Sequence, residues 1–128
     1  MNRPYHSAAE KIETERRESL PPKTCTIDRL ITRKEDIEHV LALRKTAVRR
    51  NGRYADPGEI MTLNGVAFEV YRVYRQAVAD ITDEDARMEG FADLESYKRY
   101  ILSIHKGMSW IPSAQVWVHE FRPVHLQR

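Results

Sequence analysis

Beyond Thr24 the chain is written in short blocks, and the spacing of apolar residues within each block predicts its element. Cys25-Thr26-Ile27-Asp28-Arg29-Leu30-Ile31 reads as a short strand. Thr32 and Glu35 have the spacing of a capping box opening a helix, with Ile37, Val40, Leu41 and Arg44 on one face. That helix delivers Lys45 at its C-terminal end, and Ala47–Arg50 resumes an extended character. Asn51-Gly52 and Asp56-Pro57-Gly58 then predict a loop, because Asn and Gly tolerate positive φ and Pro fixes it.

Ile60–Leu63 and Val66–Tyr74 are β-rich runs joined by Asn64-Gly65, the favoured two-residue hairpin turn. Alternation puts Val66, Phe68 and Val70 on one face of the second strand, and Ala67, Glu69 and Tyr71 on the other. Thr82 with Asp85 is a second capping box, opening a short helix that stops at Gly90. Asp93 caps another helix, whose Leu94, Tyr97, Ile101 and Ile104 share one face up to Gly107. Gln115–Phe121 alternates as a closing strand. The predicted order is β, α, β, hairpin, α, α, β. It is an α+β arrangement, a small mixed sheet or barrel without the βαβ repeat of a doubly wound fold.

Residues 1–24 break this pattern. They are polar and end near Pro21-Pro22, so they read as a flexible N-terminal tail, with a transient helix over Ala8–Leu20, ahead of a domain at 25–128. A chain of 128 residues, 41% hydrophobic and 31% charged, is one soluble globular unit. No apolar run reaches the roughly 18 residues of a membrane span, and Met1–Glu10 lacks a signal's apolar stretch, so a cytoplasmic location is expected. Cys25 stands alone, which leaves no intrachain disulfide and no cysteine-based zinc site.

The net charge of +2 is mild, but its distribution is not. Arg44, Lys45, Arg49, Arg50 and Arg53 form a strip free of acids, whereas Asp80–Glu95 holds seven acids against Arg87. With Arg72, Arg75, Lys98, Arg99 and Lys106, the strip offers phosphate contacts, and Tyr54, Tyr71, Tyr74 and Trp110 offer stacking platforms. Core packing is the plain alternative for each aromatic; Trp110, between a helix end and a strand, is the one expected to be exposed. His105, His119 and His125 lack the spacing of a metal site, so His119 is assigned to packing beside Trp117 and Phe121.

Lys45-Thr46-Ala47-Val48-Arg49-Arg50, the Gly58-Glu59 step into a strand, Ala86-Arg87-Met88-Glu89-Gly90-Phe91 and the aromatic-ended strand Val116–Phe121 together form a recognisable pattern. Over Ile27–Val124 the sequence resembles the ASCH domain family, whose K-T-x-T-x-R element, G-D turn and A-x-x-E-G-F segment it follows. The resemblance implies a small PUA-like β-barrel with flanking helices. It also implies a site in which Lys45, Thr46, Arg50 and Glu89 match motif positions. Val48 stands where members similar to 4-acetylcytidine amidohydrolases carry a second threonine, and a valine supplies no nucleophile.

Two functions follow from these residues. The first is recognition of RNA or a modified nucleoside in a cleft lined by Lys45, Arg49, Arg50, Arg53, Tyr54, Glu89 and Trp110. The second is a hydrolase acting on an acylated pyrimidine nucleoside or on RNA, with Lys45 and Glu89 as acid and base and Thr46 or a water as nucleophile. Neither calls for a cofactor, a metal or a membrane, and nothing indicates a homo-oligomer. A structural ion pair is the plain alternative for Lys45 and Glu89.

Overall fold

The computed structural model describes residues 20–124. Most of the expected 1–24 tail, including nearly all of the Ala8–Leu20 helix, lies outside the described residues, as does His125. Its last residues are tied to the domain: Thr24 N–H donates to Arg53 O at 2.9 Å, the Arg53 guanidinium donates to Pro21 O, and Lys23 pairs with Glu59 at 2.9 Å.

The elements are helix α1 (Lys34–Leu41), strands β1 (Ala47–Arg50), β2 (Ile60–Leu63) and β3 (Val66–Ala77), helices α2 (Asp83–Met88) and α3 (Leu94–Ile104), and strand β4 (Gln115–Pro123). Short 3-10 turns occupy Ile27–Arg29 and Val78–Asp80. The strands make one antiparallel sheet in the order β1-β4-β3-β2. It is a curled half-barrel, consistent with the expected α+β arrangement of a small barrel-like sheet with helices, with β1 and β2 at its two edges.

One expected strand is absent for a local reason. The Cys25–Ile31 segment, read as a strand, is a 3-10 turn closed by Arg29 N–H on Thr26 O and Leu30 N–H on Ile27 O. The Thr26 side chain bonds Asp28 and holds that carboxyl below its usual range, an example of short polar side chains drawing backbone away from a ladder. Leu30 and Ile31 then bury side by side instead of alternating.

The start of α1 differs as well. Thr32 is not its cap: the helix begins one step later, with Arg33 at the N-cap and no side-chain cap bond, and Glu35 stands near the Arg33 guanidinium. The helix also ends before Lys45. Leu43 turns the chain at φ 63, with Leu43 N–H on Val40 O and Arg44 N–H on His39 O, the paired reverse bonds of a left-handed helix cap.

The hairpin forms at Asn64 (φ 50) and Gly65 (φ 83) as its turn chemistry requires. Along β3, Phe68 and Val70 bury as predicted, but a bulge between Val70 and Arg72 changes the parity, so that Val73 is the next core residue. Val66 shares the face of Phe68 and Val70 yet is exposed beside the turn.

Two cores result. One sheet face, with Val48, Val70, Val73 and Phe121, packs against Leu30, Ile31 and Val40. A smaller cluster of Ile81, Ala86 and Tyr97, joined by Phe91, Leu94 and Trp110, holds α2 against α3. β1 supplies residues to both sides of the sheet, and the cleft described next opens where its charged side chains meet α3.

Candidate functional site

Two helix ends bring the distant motif residues together. Lys45 follows the left-handed turn of α1, and its N–H donates to His39 O at 3.2 Å. Glu89 is the C-cap of α2, which opens on the Thr82–Asp85 capping box and closes at Gly90 (φ 98). A Cβ on Gly90 would sit 3.5 Å from Arg44 O and 4.0 Å from Lys45 Cβ, so the two ends are in contact. Thr46 N–H donating to Met88 O at 2.7 Å fastens them.

Lys45, just before β1, and Arg49 on it reach the Glu89 end of α2, while Val48 between them enters the larger core. Lys45 Nζ donates to Glu89 Oε1 at 2.9 Å and to Glu89 O at 3.2 Å. Arg49 Nη1 donates to Glu89 Oε2 at 3.0 Å, and Arg49 Nε donates to Gln76 Oε1 at 2.8 Å. Gln76 Nε2 in turn donates to Asp85 Oδ2 at 3.1 Å. Arg49 Nη2 lies 3.2 Å from Asp85 Oδ1 but is not aligned to hydrogen-bond with it, and has no hydrogen-bond partner among the described residues.

Lys45, Arg49 and Glu89 are all buried, at 5%, 7% and 4% exposure. Charges so far out of water persist only when matched, and here two cations meet two carboxylates. Burial by itself would raise Asp85; the Thr82 backbone, Gln76 and Arg49 outweigh it and hold the carboxyl below its usual range. Tyr97 faces the same group: burial first, then the Glu89 charge, push its hydroxyl well above the usual phenol range. The segregated charges of the sequence thus meet, basic strip against acidic helix, at the base of a cavity.

That cavity has a polar lobe of about 290 Å³, whose lining includes Lys45, Glu89, Arg49, Arg50 and Asn51, with Tyr54, Phe91, Tyr97 and Tyr100 as aromatic walls. A second lobe of about 560 Å³ is mostly apolar and shares Arg49, Arg50, Asn51, Tyr97, Ile101 and His105 with the first. Arg50 donates to Leu30 O at 2.6 Å and to Arg49 O at 2.9 Å.

Of the candidate residues, Lys45, Arg49, Arg50, Tyr54 and Glu89 line the polar lobe, and Trp110 lines the apolar one. Trp110 is half-buried, contrary to its expected exposure, because it stands edge-on to Tyr97 at 6.3 Å. Arg53 lies elsewhere: it is buried, and its guanidinium is committed to Pro21 O, Ala55 O and Asp56. Thr46 also stays out of the cleft, its backbone engaged by Met88 and Phe121. Tyr71 and Tyr74, expected as stacking platforms, border neither lobe and donate their hydroxyls to Glu120 at 3.2 and 2.7 Å.

His119 is fully buried, and its Nε2 accepts the Tyr54 N–H at 3.0 Å, which requires a neutral ring. Burial drives its pKa down to about 4. Its contacts with Tyr54, edge-on at 6.1 Å, place it in the structural role assigned from sequence.

Sequence reading missed Asp85, Gln76, Asn51, Phe91, Tyr97 and Tyr100. Asp85 is visible only as a cap and Tyr97 only as a helix core position; each does a second job that becomes apparent once α2 lies over β1.

No protein-family model matches the sequence, and no curated protein matches it. Two solved structures share its fold. One is the ASCH domain from Lactobacillus crispatus JV V101, with a TM-score of 0.62 and 10% identity over 90% of this chain and 92% of that one. The other is protein EF3133 from Enterococcus faecalis V583, of the DUF984 family, with a TM-score of 0.53 and 14% identity over 91% of this chain and 84% of that one. At such identities the likeness shows an ASCH-type α+β fold and extends to no residue's role. Among the described residues no helix is long and apolar enough to cross a membrane.

Proposed function

We propose that the polar lobe binds the base of RNA or of a modified pyrimidine nucleoside. The observation that carries this reading is a charge-balanced, hydrogen-bonding floor beneath aromatic walls, in a space of about 290 Å³. Lys45 and Arg49 are neutralised by Glu89 and Asp85, so the floor suits a neutral polar edge better than a free phosphate. Lys45 uses two of its three N–H groups on Glu89, which leaves one for a base carbonyl oxygen. The Glu89 carboxylate, engaged by Lys45 and Arg49, keeps acceptor capacity for an exocyclic amine, and Tyr54, Phe91 and Tyr100 supply stacking surface.

Binding is favoured over hydrolysis by what surrounds the Lys45–Glu89 pair. Among the described residues, no Ser or Thr hydroxyl lines the polar lobe: Thr46 lies outside it and Val48 is in the core. An amide-cleaving reaction there would take its nucleophile from water, with Glu89 as base and Lys45 as acid.

Isothermal titration with cytidine, 4-acetylcytidine and a single-stranded RNA oligomer tests the reading. Binding to wild type should weaken at least about ten-fold in Lys45→Met, since a charge-assisted bond contributes about 1.5–3 kcal/mol. RNA affinity should fall with added salt as counterions are released, and nucleoside affinity should not. No binding, or binding indifferent to Lys45→Met, would overturn the proposal. Release of acetate from 4-acetylcytidine, lost in Glu89→Gln, would move the function to the hydrolase.

A further inference from the structure

A base in the polar lobe leaves the larger lobe unused. That lobe, of about 560 Å³, is walled by Ile81, Ile101, Met108, Trp110, Ile111 and Val116. It is a built feature. Gly107 (φ 81) turns the chain after α3, and the loop that follows is laced to the 3-10 turn after β3 by Val78 N–H on Ala114 O at 2.9 Å and Ala79 N–H on Pro112 O at 3.0 Å. The loop nonetheless leaves Met108 47% and Ile111 52% exposed, apolar surface in a concave place where a ligand would cover it. Trp110 is held edge-on to Tyr97, with Lys98 Nζ 5.5 Å from its ring, so an aromatic platform with a cation beside it forms part of the wall.

Arg50 is one of the residues that line both lobes. Unlike Lys45 and Arg49, Arg50 pairs with no carboxylate among the described residues; its bonds go to the carbonyls of Arg49 and Leu30. It lines the cleft together with Tyr97, which borders both lobes, and Tyr100, which borders the polar one. From one lobe to the other the cleft therefore offers a neutral polar floor, a shared guanidinium with no carboxylate partner among the described residues, and an apolar platform. A base, a phosphodiester and a second base follow one another in the same order along a nucleic-acid strand.

Resting on the reading that the polar lobe takes a base, we propose that the apolar lobe is a second stacking subsite and that Arg50 contacts the phosphodiester between the two bases. The preferred ligand is then a dinucleotide step of single-stranded RNA and not a free nucleoside.

Titration of the full chain with cytidine, cytidine 5′-monophosphate and cytidylyl-cytidine tests this. The dinucleotide should bind roughly ten-fold more tightly than the mononucleotide, the order that one stacked base supplies. In the double variant Met108→Ser, Ile111→Ser, whose changes fall on exposed side chains, that advantage should vanish and the two should bind alike. Arg50→Gln should weaken both phosphorylated ligands. Lys45-dependent binding of cytidine with no gain for the dinucleotide, or a gain that survives the double variant, would overturn the second subsite and leave the polar-lobe reading standing. Absence of Lys45-dependent binding for all three would overturn both.

Discussion

Glu89 and Glu120 are two buried carboxylates, 4% and 5% exposed, each bonded by more than one side chain, and they do different things. Glu89 answers two buried cations, Lys45 and Arg49, at the floor of an open cleft. Glu120, on β4 opposite Ala47, accepts from the neutral hydroxyls of Tyr71 and Tyr74 and from Arg72, whose side chain is 50% exposed, and it lines neither lobe. Burial first, then the bond and charge of Glu120, push Tyr74 up to about 12, so its phenol stays a donor across the ordinary pH range. The difference teaches that a buried carboxylate becomes a candidate site through the space beside it and the charge it balances, and not through burial alone.

The largest effect should come from breaking each cluster in turn. Glu89→Gln leaves Lys45 and Arg49 buried with only Asp85 to balance them, and should lower unfolding free energy by about 3–5 kcal/mol. Glu120→Gln keeps an acceptor for one tyrosine, offers the other an amide N–H that its hydroxyl oxygen can accept, and removes only a solvent-facing pair, and should lower it by about 1 kcal/mol. Urea denaturation of the two variants makes the comparison, and equal losses would erase the distinction.

Acid should act through a third buried group. His119, pushed down to about 4 when folded, has an ordinary value of 6.5. Between those values the unfolded chain binds a proton that the folded chain does not, so stability is full above about pH 6.5, falls as pH drops, and levels off below about 4. The full loss amounts to about 3 kcal/mol. His119→Gln keeps an acceptor for the Tyr54 N–H without titrating, and stability of this variant against pH should be flatter across that window. A wild-type slope that persists in His119→Gln would assign the acid response to the carboxylate clusters instead.

The smallest effects probe how the Glu89 cluster is delivered. Gly90 and Leu43 occupy the same left-handed position after their helices, at φ 98 and 63. Gly90→Ala should cost about 1–2 kcal/mol, since the space is ordinary but the backbone is not. Leu43→Gly should stabilise by about 0.5–1 kcal/mol, because Leu43 is 58% exposed and surrenders little packing. Thermal melts would show the opposite signs.

Those two turns also mark the limit of what the sequence discloses. The Gly90 end was legible, as were the Asn64-Gly65 hairpin and the Thr82–Asp85 box, because in each a local residue type meets a local backbone need. The end at Leu43 was not, since a leucine stands where glycine is the usual choice and gives no local sign of a left-handed turn. The strand expected at Cys25–Ile31 failed because Thr26 and Asp28 bond locally and two adjacent apolar residues bury together. In the site, the Lys45 and Glu89 pairing was legible through the motif and the segregated charges. Arg53 was drawn in by its charge alone, and only the folded chain shows that it holds Pro21 and Asp56 instead.

The most direct measurement is an amide chemical-shift map of the ¹⁵N-labelled protein titrated with a pyrimidine nucleoside. Shifts should saturate together at Lys45, Arg49, Asn51, Glu89 and Tyr97, with the strand around Glu120 unmoved. Shifts centred on Tyr71, Tyr74 and Glu120, or no saturable shifts, would contradict a site in the polar lobe.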